Sequence, residues 1–254
     1  MSMQPQSRPL PARSHRNRNI LLVAIAVVVI AGVAAGGYGL WYILIGPSAP
    51  GAVNAGAPAI PAVAALPAPA TLDGTWNVDT SMGTVGDGTA SFAGFRVQEQ
   101  LVGVGGHTAV GRSTGVTGSM TLTGAQVSNV QMTVDMTALH SDNDQRDSQL
   151  KTQAIETNNF PTSTFKLSQP MDLGTLPADG KVVSVNATGA LTLHGITKSV
   201  TISLQAVRQG GIIAVTGTLP IVFSDYSIQK PNSFSVLSVD DHGIMELHLL
   251  FTHA

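Results

Sequence analysis

Apolar and polar side chains alternate with a period of two through residues 71–254, and no other feature restricts the fold of this chain as much. Over 129–136, Val130, Met132, Val134 and Met136 share one side, while Asn129, Gln131, Thr133 and Asp135 share the other, as successive strand residues do. The pattern returns at Val183, Val185, Ala187, Gly189, Leu191 and Leu193, at Val200, Ile202, Leu204 and Ala206, and at Met245, Leu247, Leu249 and Phe251. Turn residues separate the runs: Leu176-Pro177-Ala178-Asp179-Gly180, His194-Gly195-Ile196-Thr197 and Gln209-Gly210-Gly211. About eight or nine strands at this spacing favour an antiparallel barrel or sandwich. A barrel of about eight strands is either filled by its side chains or holds one small ligand. The inward set is short and aliphatic, with Gly118 and Gly189 among it and aromatics at only 5% of the chain. Both a lined cavity and a tightly filled narrow barrel fit that pattern.

One passage breaks the period. In 146–165, Leu150, Ala154 and Ile155 fall at helical spacing, and Asn158, Asn159 and the Phe160-Pro161 step end the helix before a strand that starts near Thr162. Asp142 or Asp144 is the expected cap of its first turn.

The N-terminal part is of another kind. Residues 20–45 carry no charged side chain, and about 20 such residues span a bilayer. Arg8, Arg13, Arg16 and Arg18 precede the run, and the next Lys or Arg is Arg96. That asymmetry places a basic tail, 1–19, in the cytoplasm and everything past the run outside it. Tyr38, Trp41 and Tyr42 suit the outer interface. A cleaved signal peptide is the competing reading, but its apolar region is shorter, about 7–15 residues, which favours an uncleaved anchor. Residues 46–70 hold six prolines and no charge, a composition expected to form a semi-rigid spacer.

Little organised chemistry is visible. A net charge of −2 argues against a nucleic-acid surface, and the absence of cysteine removes thiolate chemistry and disulfides. No nucleophile elbow or phosphate-cradling glycine loop occurs, so no catalytic residue and no cofactor is nominated. His107, His194, His242, His248 and His253 lack the close pairing of metal ligands. His248 shares a strand face with Glu246, opposite Leu247 and Leu249, and is expected in solvent. Asp142, Asp144 and Asp147 lack the glycine and closing glutamate of a calcium loop.

Several pieces, in order, resemble the YceI-like family: Trp76-Asn77-Val78-Asp79, Val116-Thr117-Gly118-Ser119-Met120, Arg146-Asp147 with Leu150, Asn159-Phe160-Pro161 with Thr164-Phe165, 189–198, and Phe223-Ser224-Asp225-Tyr226. Asp79 is followed by Thr80-Ser81-Met82 where the commoner family pattern has a His-Ser pair, and the glycine-rich 83–115 is closer to a membrane-anchored branch. The resemblance implies an extracytoplasmic, all-β, antiparallel lipocalin-like β-barrel over 71–254, with one short helix flanking or capping its mouth, behind a single transmembrane helix. It also implies an apolar, isoprenoid-type lipid as partner, with the membrane engaged through the N-terminal helix. Strand parity nominates Met132, Val134, Val185, Leu193, Leu204 and Leu247 for the lumen, with Phe165 near the helix-capped end. Arg146 beside Asp147 is either a headgroup or lid contact or a structural ion pair tying the helix to the barrel. A filled barrel acting as a cell-surface interaction module is the alternative to a carrier.

Overall fold

The computed structural model describes residues 49–53, 57–62, 66–231 and 236–254. The basic tail 1–19 and the apolar run 20–45 lie outside the described residues. Among those described, no helix is long and apolar enough to cross a membrane. The strands are β1 (Gly74–Asp79), β2 (Phe92–Leu101), β3 (Gly105–Ser113), β4 (Val116–Thr123), β5 (Gln126–Asp135), β6 (Leu139–Ser141), β7 (Thr162–Leu167), β8 (Met171–Asp172), β9 (Val182–Leu193), β10 (Ile196–Gln209), β11 (Ile212–Val222), β12 (Val236–Val239) and β13 (His242–His253). One α-helix, α1 (Asp144–Thr152), stands between β6 and β7.

All the pairings are antiparallel, and together they close a ring. One edge of β13 is shared: Ile244 to His248 pair with β2, and Leu250 to His253 pair with β1. β3 then pairs with β2 and β4 with β1, while β6 pairs with β3 and β5 with β4. Three interrupted strands therefore each form one stave, and β7, β9, β10, β11 and β13 complete a barrel of eight staves. β8 and β12 add short pairings to β5 and β2. Two-residue turns fix the register of the longest hairpins. His194 and Gly195 join β9 to β10 with φ of 50° and 73°, the pair of positive angles that matches strand twist.

Inward residues of neighbouring staves meet rung by rung, with Val185 opposite Leu204 and Ala187 opposite Ile202. Trp76 is fully buried among Val116, Met120, Leu122, Leu249 and Phe251, and its indole N–H donates to the Leu72 carbonyl at 2.9 Å. The inward glycines do not leave holes. A Cβ on Gly189 would strike the Phe165 ring, and one on Gly118 would strike the Met132 sulfur. Each glycine makes room for a larger neighbour instead.

The outer face of β13 differs most from expectation. The alternation holds, yet Glu246 and His248, which point outward, are 1% and 2% exposed. Residues 49–62, expected to belong to a semi-rigid spacer, lie along this face in their described parts, with Pro58 and Pro61 buried. Ile60 and Met82 pack over Val207, Ile212, Ala214 and Leu250. His248, expected in solvent, has its two ring nitrogens 2.8 Å from the carbonyls of Ala90 and Ala59. The Arg112 guanidinium donates to Glu246 Oε1 at 2.9 and 3.0 Å and to the Gly51 carbonyl at 2.7 Å, and it covers the Phe92 ring. Arg96 donates to the Pro50 carbonyl at 2.7 Å, and Glu246 Oε2 accepts the Val53 N–H. A proline- and alanine-rich strap thus supplies backbone acceptors to cations of the barrel wall.

Removing one partner of a buried ion pair strands the other charge, which costs about 3–5 kcal/mol. Arg112→Met should lower stability by that order in urea unfolding and open the strap to proteolysis near residues 51–60. The double variant Arg112→Met/Glu246→Leu should recover most of the loss, because the cation that remains, Arg96, is partly exposed and keeps its bond to the Pro50 carbonyl.

Candidate functional site

The barrel encloses a cavity of ≈ 170 Å³. That is over ten times the roughly 15 Å³ needed by one water, and apolar voids of about this size stay dry and accept hydrocarbons. Its wall comes from the inward faces of the staves. Met132 and Val134 on β5, Phe165 on β7, Val185 on β9, Leu204 on β10 and Leu247 on β13 all line it. Leu193, nominated by the same parity, does not. It lies at the end of β9 and packs instead beside the clusters of Met136, Leu139, Leu150 and Ala154 and of Leu191, Ile202 and Tyr226. The period-two rule identifies a face, but it does not say where along the stave the cavity stops.

That stop is the helix. Leu150 and Ala154 are buried against Met136 and Leu139, with Phe95, Val134, Ile155 and Leu193 packed around them. This plug stands at the Leu193 end of β9. Leu176, Pro177, Lys181 and Arg208 line the cavity beyond the Val182 end, roughly 36 Å away along the strand. Leu176 is 41% exposed, so the cavity reaches the surface there. The helix expected to cap or flank the mouth therefore seals the far end. The loop between β8 and β9 forms the rim.

α1 is capped by Asn143, not by Asp142 or Asp144. Asn143 is extended, and its side chain accepts the Arg146 N–H at 3.0 Å. Asp142 is occupied by the Arg146 guanidinium, and Asp144 already lies in the first turn. Arg146 also donates to Glu99 on β2 at 2.6 Å. Burial works against its charge, but Glu99 and Asp142 outweigh that and hold the guanidinium above its ordinary pKa. Asp147 is buried and accepts from the Ser141 N–H at 2.9 Å and the Ser141 hydroxyl at 2.7 Å, with the exposed His140 ring at 3.2 Å. Neither Arg146 nor Asp147 lines the cavity. Both tie the plug helix to β2 and β6.

Parity extends the nominated set to further inward strand residues of the lining, such as Ala187, Leu191 and Ile202, but two groups fall outside an apolar strand face. Leu173, Leu176 and Pro177 come from a loop, where no periodicity marks a side chain as inward. Lys181 and Arg208 had a signal: they continue the parity of Val183 and Ala206 by one more residue. Their charge kept them off an apolar face.

Residues 76–251 match the model of the YceI-like domain. A UPF0312 protein of Vibrio parahaemolyticus is 30% identical over 122 residues, which are 45% of this chain and 61% of that protein. One of Vibrio vulnificus is 32% identical over 132 residues, 48% of this chain and 61% of its own length. The chain thus spans about three fifths of these curated relatives. Among solved structures, a polyisoprenoid binding domain from Saccharophagus degradans, implicated in plant cell wall breakdown, superposes with a TM-score of 0.54 at 17% identity. That likeness covers 72% of this chain and 99% of the other, and it concerns the fold. With the domain model matched over most of the chain and the closed barrel to go with it, this chain belongs to the YceI-like family.

Proposed function

We propose that this protein is a non-enzymatic carrier that holds one long apolar lipid, of isoprenoid type, in the barrel lumen. It works outside the cytoplasmic membrane, to which residues 20–45 tether it. The observation that carries this reading is the aliphatic cavity, open at the Leu176 rim and plugged by α1 at its other end. Family membership and the shared fold of the Saccharophagus degradans polyisoprenoid binding domain support it. Each CH₂ moved from water into such a wall contributes about 0.8 kcal/mol, so a chain of about ten carbons binds with little polar recognition. For location, the support is the arginine-rich stretch before the apolar run and the absence of Lys or Arg after it until Arg96.

Native mass spectrometry of the full chain in nanodiscs tests the carrier directly. A co-purifying apolar mass, or uptake of offered geranylgeraniol, is expected. Repeated absence of both would favour a filled interaction module. Ala187→Phe places a ring across the lumen opposite Ile202 and should weaken uptake about tenfold or more, with an overpacking cost of about 1–3 kcal/mol in stability. Arg146→Met should do the reverse, lowering stability by about 1–3 kcal/mol, as expected when a buried hydrogen-bonded partner is lost, while uptake stays at the parent level.

A further inference from the structure

The facing inward residues of β9 and β10 are apolar along the cavity: Ala187 opposite Ile202, Val185 opposite Leu204, Val183 opposite Ala206. The ladder ends at Val182 opposite Val207. Just before it Lys181 stands in a turn, its N–H donating to the Ala178 carbonyl at 3.1 Å. The Gly180 N–H donates to the Arg208 carbonyl at 2.7 Å and so brings this turn to the end of β10. The Lys181 and Arg208 side chains both line the cavity at its open end. Two like charges gathered at one rim repel each other unless something negative sits beside them. Asp179 meets part of that need: its Oδ1 lies 2.6 Å from Arg208 Nη1 and accepts the Gly210 N–H at 3.0 Å. Lys181 has no carboxylate partner among the described residues. The other ionisable group of the lining, Glu246, directs its carboxylate outward to Arg112.

Resting on the carrier reading above, we infer that Lys181 and Arg208, the two cations of the rim, form an anion subsite, and that the cargo is an apolar chain ending in a phosphate or carboxylate head. The tail enters past Leu176 and runs toward Leu191 until α1 blocks it. The head stays at the rim, where it keeps part of its hydration and receives charge-assisted hydrogen bonds from the Arg208 fork and the Lys181 ammonium. Burying the head inside would cost far more, so the rim cations also set the direction in which the chain enters.

Competition by hexadecyl phosphate, hexadecanoate and hexadecanol against a pyrene-labelled long-chain alcohol, with the full chain in neutral phosphatidylcholine nanodiscs and empty nanodiscs as control, tests this. Both anions should compete about tenfold better than the alcohol, a difference of about 1.4 kcal/mol. The advantage should shrink at high salt, because a rim site is screened. Lys181→Gln/Arg208→Gln should bring the three probes level. If the double variant does not fold, Lys181→Gln alone, an exposed change, should halve the advantage or more. Preference for phosphate over carboxylate, or the reverse, identifies the head and supports the subsite either way. An alcohol that competes as well as both anions overturns the subsite and leaves the carrier standing. An anion preference that survives the substitutions also overturns it. Failure of the labelled alcohol itself to bind overturns the carrier, and the subsite with it.

Discussion

The shared edge of β13 holds this molecule together. Half of that edge bonds to β2 and the other half to β1, and this closure turns an open sheet into a barrel. A sheet left open here would expose backbone donors and acceptors along the edge and have no inside. Every feature of the lumen depends on these ladder bonds. They give β13 two packed faces, and they set the rungs against which the facing staves are read.

Because β13 is central, its outer face had to be covered, and that cover is polar where it matters. Glu246 and His248 would be costly under an apolar lid. The described parts of 49–62 offer main-chain carbonyls instead, and Arg96 and Arg112 join those carbonyls to Glu246. Proline suits the strap, since a residue without an N–H brings one unsatisfied donor fewer to a buried surface. The arrangement links a segment far away in sequence to the barrel wall without a hydrophobic core of its own.

Inside, the division of labour is simple. Glycines at close approaches admit Phe165 and Met132, aliphatic rungs line an apolar space, and α1 fills the end beside Leu193. The charged pair Arg146 and Asp147 holds that plug in place from outside the cavity. Apart from Glu246, whose carboxylate turns outward to Arg112, the charges on the lining are Lys181 and Arg208 at the opposite rim, so the lumen is largely apolar along its length and polar at its mouth.

Local patterns in the sequence determined the strands, their inward faces, the two-residue turns and the presence of one short helix, because each depends on neighbours two to five residues apart. Parity put Met132, Val134, Phe165, Val185, Leu204 and Leu247 on the cavity wall. It could not exclude Leu193, since the depth of a cavity depends on what another element fills. Only the tertiary structure decided that α1 is a floor, that His248 is buried and that the described parts of 49–62 form a strap. Those outcomes rest on partners up to 193 residues apart, such as Val53 with Glu246, and a one-dimensional pattern contains no record of which distant carbonyl meets which cation.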